Sequence, residues 1–173
     1  VLKTLQMMPG VQGGNEGFSG IYVRGGGVDE NLMLLDGTSL YNVSHLFGLL
    51  SVFTPEAVKK VTVYKGSFPA RYGGRVSSVV DVRTNDGNSK KISGSVTAGF
   101  LAEKFHLEGP LKNENTTFSL SARGMHTFLF DRVIKWAGSP LNYAFYDVNA
   151  KVSHKFSDRS RGWIGFYSGR DYF

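Results

Sequence analysis

The sequence predicts a small α+β domain followed by a series of antiparallel β-strands, on three observations. Glycine is concentrated early, with 14 of 22 residues before position 88, whereas 15 of the 23 aromatic residues lie after position 87. Residues 88–173 carry 12 basic and 7 acidic side chains, and therefore five of the six net positive charges. From Ile92 onward, apolar and polar residues alternate with a period of two. We therefore expect one domain at residues 1–87 and a second region at residues 88–173.

The first elements of the chain are a short helix, a loop and a strand. Apolar residues on one helical face predict an amphipathic helix over residues 1–8, which Pro9 and Gly10 end. The glycine-rich segment 10–20 is typical of a loop. The aromatic and β-branched residues of segment 21–24 predict a short strand.

A hairpin follows this strand. The apolar segment 31–35 predicts a strand, and Asp36 with Gly37 is a sequence typical of a tight hairpin turn. The return strand is then expected at residues 39–41.

The rest of the first domain predicts one more helix and two more strands. Thr54 is a favourable helix cap, Pro55 fixes the first helical φ, and Glu56 suits the positive end of the helix dipole. Strands are predicted at residues 61–64 and 78–83. Short helices and strands in this order indicate a compact α+β unit.

Five segments of alternating residues predict antiparallel strands in the second region. They cover residues 92–100, 105–111, 118–123, 144–152 and 163–168. Short polar turns at 112–115 and 157–160, with a long connection at 127–142, are typical of an outer-membrane β-barrel. A soluble β-sandwich also alternates, so the pattern alone leaves both architectures open.

Strand number indicates that the chain is part of something larger. About eight strands are the fewest that close a barrel, and five cannot. The chain also begins at Val1 with neither an initiator Met nor a signal segment, so either a signal was removed or the chain is an excerpt, and the strand count favours the excerpt. We therefore expect an excerpt from a longer protein, in which Trp136 and Trp163 are candidates for an interfacial aromatic girdle.

Composition and motifs argue against several classes of function. The chain has no cysteine, which excludes a disulfide scaffold and thiolate sites, and no apolar stretch approaches the roughly 18 residues of a transmembrane helix. Its histidines lack the paired spacing of metal ligands, and no nucleophile-elbow motif occurs. The glycine run 25–27 lacks the Lys-Ser/Thr of a phosphate-binding loop. Basic residues are scattered and form no stripe, which argues against nucleic-acid binding. We expect no enzyme activity, catalytic residue, metal or cofactor.

Three blocks of the chain carry a resemblance to a known family. They are residues 2–11 (LKTLQMMPGV), residues 22–42 (YVRGGGVDENLMLLDGTSLYN) and residues 53–84 (FTPEAVKKVTVYKGSFPARYGGRVSSVVDVRT). In order and spacing the chain resembles the TonB-dependent outer-membrane receptors, and within them the Bacteroidetes type. Residues 107–111 (LEGPL) are similar to the second barrel strand of that family where it reaches its periplasmic turn.

The resemblance implies an architecture and a function. Residues 1–87 would be an α+β plug domain, a small mixed β-sheet with short helices. Residues 88–173 would be about the first five antiparallel strands of an incomplete 22-stranded transmembrane β-barrel. The intact protein would take up a siderophore, corrinoid, glycan or peptide across the outer membrane of a Gram-negative bacterium, and the plug would gate the barrel lumen.

The same resemblance implies partners. They are TonB, outer-membrane lipid, the imported small molecule or glycan, and a surface lipoprotein if the ligand is a glycan or peptide. A TonB-interacting box does not precede Val1, so the sequence nominates no residue for the contact with TonB.

Family analogy also nominates two sets of residues. Loop apices of the plug would contact ligand, and the candidates are Gln12, Asn15, Glu16, Phe18, Tyr41, Asn42, His45 and Phe47. Charged plug residues would form ion pairs with the barrel wall, and the candidates are Arg24, Asp29, Glu30, Asp36, Glu56, Arg71, Arg75 and Arg83.

One alternative belongs to a different class of protein. The chain could be an independent secreted binding module, α+β with an added β-sheet, that recognises glycan or protein. Detergent dependence of the purified protein would favour the receptor, whereas a soluble two-state monomer would favour the module.

Overall fold

The structure, a computed structural model, describes residues 1–14, 20–99, 102–126 and 143–172; the side chains of Phe47 and His126 lie outside this description. The chain divides into two compact units, Val1–Asn85 and Asp86–Phe173, which we call the first and second units. The sequence had placed its boundary at residue 87. No helix among the described residues is long and apolar enough to cross a membrane.

The first unit is built from short elements. Its helix α1 spans Leu2–Leu5, and its strands are β1 (Val11–Gly13), β2 (Ile21–Val23), β3 (Asn31–Leu35), β4 (Thr38–Ser39), β5 (Ser44–His45), β6 (Leu50–Ser51), β7 (Val58–Tyr64) and β8 (Ser78–Thr84). Single 3-10 turns occupy Val28–Glu30, Leu46–Gly48 and Pro55–Ala57.

Two predicted helices are shorter in the structure than expected. The helix predicted at residues 1–8 ends at Leu5, because only Leu2 and Leu5 of its apolar face are buried. The helix predicted to start at Thr54 is the 3-10 turn Pro55–Ala57, in which Thr54 makes no side-chain capping bond. Strand β7 begins at the next residue, which leaves no room for a second helical turn.

A mixed four-stranded sheet forms the core of the first unit. Its order is β4-β3-β8-β7, with β3 parallel to β8 and the other neighbours antiparallel. Strand β8 lies inside this sheet, and Val79, Val80 and Val82 are fully buried. Burial of consecutive residues is typical of a strand covered on both faces. Two smaller pairs, β1 with β2 and β5 with β6, complete the unit.

The hairpin between β3 and β4 has the predicted turn. Asp36 and Gly37 have φ angles of 48° and 87°, and Leu35 pairs with Thr38 across them. Two positive φ values make a type I′ turn, whose twist matches that of the strands. The return strand is Thr38–Ser39, where residues 39–41 were expected.

The second unit is a single antiparallel sheet. Its strands are β9 (Ser93–Ala98), β10 (Glu103–Pro110), β11 (Thr116–His126), β12 (Ala144–Ser157) and β13 (Ser160–Tyr172), each paired with the next. The polar turns predicted after β10 and β12 are present, and the second contains only Asp158 and Arg159. The predicted long connection 127–142 lies outside the described residues.

In this sheet the apolar side chains of one face are exposed and polar side chains of the other face are buried, whereas the sheet of a soluble protein buries its apolar face. Apolar residues of one face are exposed, with Val96 at 79% and Ile164 at 82% accessibility, and we call this the apolar face. Polar residues of the other face are buried: Thr117, Ser119, Ser121, Arg123, Asp147 and Lys151. We call this the polar face.

The second unit starts with two residues fixed on the sheet. The backbone oxygen of Asp86 accepts a hydrogen bond from Thr117 Oγ1. Gly87 has a φ of 92°, and a Cβ built on it would lie 2.2 Å from the backbone oxygen of Phe118. Only glycine fits there, because both the backbone angle and the space exclude a side chain.

We predict that Gly87→Ala destabilises the second unit by about 2 kcal/mol or more, because it combines a left-handed φ with a steric clash. Urea unfolding would measure the loss. Gly73→Ala is the matched control, since a Cβ on Gly73 meets nothing within 4 Å. Equal unfolding midpoints for the two variants would contradict the prediction.

Candidate functional site

A buried ion pair lies on the polar face, between β11 and β12. Arg123 of β11 and Asp147 of β12 are direct partners across the two strands, and their side chains are only 7% and 3% accessible. Arg123 donates from Nε to Asp147 Oδ2 at 3.0 Å and from Nη2 to the same oxygen. The hydroxyl of Tyr167 on β13 donates to Asp147 Oδ1 at 2.9 Å. Both carboxylate oxygens are therefore satisfied by side chains of neighbouring strands.

A second ion pair fixes the start of the unit on this face. Lys151 Nζ lies 2.9 Å from Asp86 Oδ1, and Ser153 donates to the same oxygen at 3.4 Å. The Lys151 ammonium also lies 4.9 Å from the ring centroid of Trp163, a cation–π distance. Trp163 therefore lies on the polar face, which does not fit the interfacial aromatic girdle predicted for it. The other girdle candidate, Trp136, lies outside the described residues.

A histidine on β10 extends the polar network. His106 Nδ1 is 2.7 Å from Ser121 Oγ, and its Nε2 is 3.7 Å from Glu108 Oε2. Ser93 on β9 donates to the other oxygen of Glu108 at 3.2 Å. Polar contacts thus join all five strands along one face.

Two acidic residues predicted to pair with a barrel wall have partners inside the first unit. Asp36 accepts hydrogen bonds from the backbone N–H of Thr84, at 3.0 Å, and from its hydroxyl. Glu30 accepts the backbone N–H of Gly27 at 3.1 Å. These bonds tie the hairpin turn to the end of β8 and stabilise the 3-10 turn before β3.

Two predicted arginines lie at either end of a chain of contacts around Asp81. Arg71 lies 4.7 Å over the ring of Tyr72 and donates to its hydroxyl at 2.9 Å, which raises the pKa of the guanidinium above its ordinary value. Tyr72 donates in turn to Asp81 at 3.4 Å, and Arg83 Nε lies 3.6 Å from the same carboxylate. Tyr64 packs on Tyr72 with ring centroids 5.5 Å apart.

The other predicted ion-pair residues lie at turns. Arg24 and Asp29 are exposed on either side of the glycine run, and Glu56 is half-buried in the 3-10 turn Pro55–Ala57. Arg75 is half-buried and donates to the carbonyl of Gly74 at 2.8 Å.

The predicted ligand contacts are divided between exposed, buried and undescribed positions. Tyr41 and Asn42 are exposed side by side, and Asn42 Oδ1 accepts the backbone N–H of Ser44. Gln12 is exposed on β1, whereas His45 is buried on β5. The remaining candidates, Asn15, Glu16, Phe18 and the side chain of Phe47, lie outside the described residues.

The described acidic side chains of the polar face are paired with other protein side chains and do not form a metal site. Within residues 1–14, 20–99, 102–126 and 143–172, no three His, Asp or Glu side chains come together as a metal site would need. Carboxylates on the polar face bind arginine, lysine, serine or tyrosine side chains. Such groups hold strands in register and give one sheet face a hydrophilic lining.

A family model described as TonB-dependent Receptor Plug Domain matches residues 1–80. Residues 1–80 are a TonB-dependent receptor plug domain. This confirms the resemblance over the plug region, whereas the Bacteroidetes type and the assignment of the later strands to a 22-stranded barrel stay predictions. The plug domain is a part of receptors and transporters, not of enzymes. Comparison with curated proteins gave no match.

Two solved structures are similar in fold to this chain. One is the ferric enterobactin receptor PfeA in complex with BCV-L6, with a TM-score of 0.64 and 18% identity. The other is a mutant of PfeA from Pseudomonas aeruginosa in complex with enterobactin, with a TM-score of 0.62 and 19% identity. Each match covers 98% of this chain and 30% of the receptor chain. The chain therefore spans less than a third of the length of these receptors.

Several polar residues that organise the plug domain were not singled out from the sequence. Asn31 donates from Nδ2 to the carbonyl of Ile21, at 2.9 Å, and to that of Gly27, at 3.0 Å. Its Oδ1 accepts the hydroxyl of Ser78 on β8. The sequence signal was that each of two apolar strands begins with a polar residue, Asn31 in β3 and Ser78 in β8. That pattern alone indicates only the end of a strand.

We predict that Asp147→Asn destabilises the second unit by about 3 to 5 kcal/mol, because it removes the buried carboxylate charge that Arg123 contacts from Nε and Nη2. Chemical unfolding, or protease sensitivity in detergent, would measure the effect. The control is Asp158→Asn, which removes the exposed carboxylate 2.6 Å from Lys155 and should leave the unfolding midpoint unchanged. Similar losses in both variants would rule out a special role for the buried pair.

Proposed function

We propose that this chain is the plug domain and the first five barrel strands of a TonB-dependent outer-membrane transporter. Residues 1–87 would be the plug, and residues 88–173 would be the strands. In the intact protein the plug would gate the barrel lumen, and TonB would supply the energy for uptake. The alternative is the independent secreted binding module.

Inverted burial of the second unit is the observation that carries this proposal. Apolar side chains on the exposed face include Val96, Phe105, Val152, Ile164 and Phe166. A water-soluble sheet would bury this face, since each fully buried side chain of this size gains about 1.5–3 kcal/mol. A transmembrane barrel does the opposite, with apolar residues facing lipid and polar residues facing the lumen.

The dimensions of the apolar face fit a bilayer. Tyr146 and Tyr172 pack together at one end, and His154 and Phe156 at the other. From Tyr146 to Phe156 a strand rises about 33 Å, at about 3.3 Å per residue. A tilt of about 40° reduces this to about 25 Å, the height of the apolar band in outer-membrane barrels. Aromatic pairs at both ends correspond to the two interfacial girdles of such barrels.

The proposed receptor class indicates which ligands could be transported and where the protein is located. The proposed ligand is a siderophore, corrinoid, glycan or peptide, and the proposed location is the outer membrane of a Gram-negative bacterium. Solved receptors of the same fold include one bound to enterobactin, which makes an iron siderophore the first ligand to test. At 19% identity the fold is shared, and the ligand has to be tested directly.

We predict that cysteine at Val96 is in lipid and cysteine at Ser95 is in water. These neighbours on β9 point to opposite faces because side chains alternate along a strand. A nitroxide at residue 96 of the full-length receptor in lipid should be relaxed mainly by oxygen, and one at residue 95 mainly by a water-soluble nickel complex. Equal access of the nickel complex to both labels would reject the transmembrane assignment and favour the soluble module.

We propose that Tyr41 and Asn42 contact the imported ligand, as the exposed pair among the described candidates. Tyr41→Ala with Asn42→Ala should lower ligand affinity about tenfold or more, through lost aromatic area and hydrogen bonding. Uptake of labelled ligand and growth on defined iron, cobalamin, glycan or peptide sources would measure the change. Met7→Ala is the control, because Met7 is equally exposed and was not a candidate. Uptake unaltered by the Tyr41 and Asn42 changes would remove this pair from the site.

A further inference from the structure

Positive charge is concentrated at one end of the five-stranded sheet. This end, which we call the turn end, comprises the segment entering β9 and the turns that follow β10 and β12. Its basic residues are Lys90, Lys91, Lys112, Lys155, Arg159 and Arg161. Its acidic residues are Glu114 and Asp158, while Asp86, earlier in the segment that enters β9, is paired with Lys151. Among the described residues at the opposite end, Glu103 and Asp171 balance Lys104 and Arg170.

Most of this charge is presented to the surroundings. Lys112 and Arg159 lie in the two turns, and both are exposed. Lys155 lies 2.6 Å from Asp158 Oδ1, and this hydrogen-bonded contact lowers the pKa of Asp158 below its ordinary value. That carboxylate offsets Lys155. Six basic residues against two acidic ones leave the turn end with a formal net charge of +4.

Exposed apolar side chains adjoin the same turns. Phe156 is 70% accessible one residue before β12 ends, Ile92 is exposed just before β9, and Leu111 is exposed just after β10. Long basic side chains next to such residues can keep their stems on apolar surface while their charged groups reach a polar layer. A cationic rim at the edge of an apolar surface fits an amphiphile with an anionic headgroup.

We propose that the turn end binds the headgroups of anionic phospholipid, with Lys112 and Arg159 contacting phosphate and Phe156 packing on the acyl chains below. The inference rests on the proposed function, since it needs the apolar face to lie in a bilayer. Short turns of outer-membrane barrels face the periplasm. The occupant is therefore a phospholipid of that leaflet and not lipopolysaccharide of the outer one.

The test measures lipid selectivity of the full-length receptor in phosphatidylcholine membranes. Electron spin resonance of spin-labelled phosphatidylglycerol, against spin-labelled phosphatidylcholine, gives the relative association constant at the protein surface. We expect a preference for phosphatidylglycerol of about twofold or more that falls with added salt, as screening of headgroup charge requires. Lys112→Gln with Arg159→Gln should bring the ratio close to one.

A matched double variant provides the control. Lys104→Gln with Arg170→Gln removes the same number of positive charges at the opposite end and should leave the ratio unchanged. The proposal is overturned if the Lys112 and Arg159 variant keeps its selectivity, or if both double variants lose it equally. A spin-labelled lipid A that competes at the turn end better than phosphatidylglycerol would also overturn it.

A label at residue 96 separates this inference from the proposed function. If that nitroxide lies in lipid while the receptor shows no phosphatidylglycerol preference, the headgroup site fails and the transmembrane strands stand. If the nitroxide lies in water, the transmembrane assignment itself fails, and the headgroup site fails with it.

Discussion

The ion pair between Arg123 and Asp147 is the interaction on which the second unit depends. Burying either charge without an opposite charge would cost several kcal/mol, and the contacts from Arg123 Nε and Nη2 to Asp147 Oδ2 offset that cost for both side chains. The two residues are direct partners in the β11–β12 register. Because side chains alternate along a strand, a slip of one residue would carry a charge to the apolar face. One pair therefore selects the register, and the register determines which side chains the apolar face displays.

Sequence patterns predicted much of the fold because strands and tight turns are determined largely by residues that are close in sequence. Alternation with a period of two gave the strands of the second unit, and the Asp36-Gly37 turn gave the first hairpin. The helices were overestimated, because apolar spacing over residues 1–8 does not tell how many of those residues find a surface to bury against. At residues 55–57 the start of β7 ended the helix after one 3-10 turn.

Partners of the polar side chains could not be predicted in the same way. Lys151 and Asp86 are distant in sequence and meet only because β11 and β12 carry Lys151 back to the start of the unit. Asp81 lies in a valine-rich strand whose composition indicates burial and gives no hint of Tyr72 or Arg83. The ion pair of Asp36 with a barrel wall stays a prediction, and the sequence did not indicate that Asp36 accepts hydrogen bonds from Thr84. Sequence indicates that a group needs a partner, whereas the topology decides which one.

Parallel pairing of β3 with β8 has a consequence for the order in which the chain folds. Asn31 pairs with Ser78, so closing this ladder requires a long loop whose entropy must be lost before the pairing forms. Each strand of the second unit, in contrast, pairs with the next strand along the chain. Contacts of low sequence separation form faster than distant ones. During synthesis the sheet of the plug domain cannot close until β8 has emerged, although β3 is made much earlier and must remain without that neighbour in the meantime.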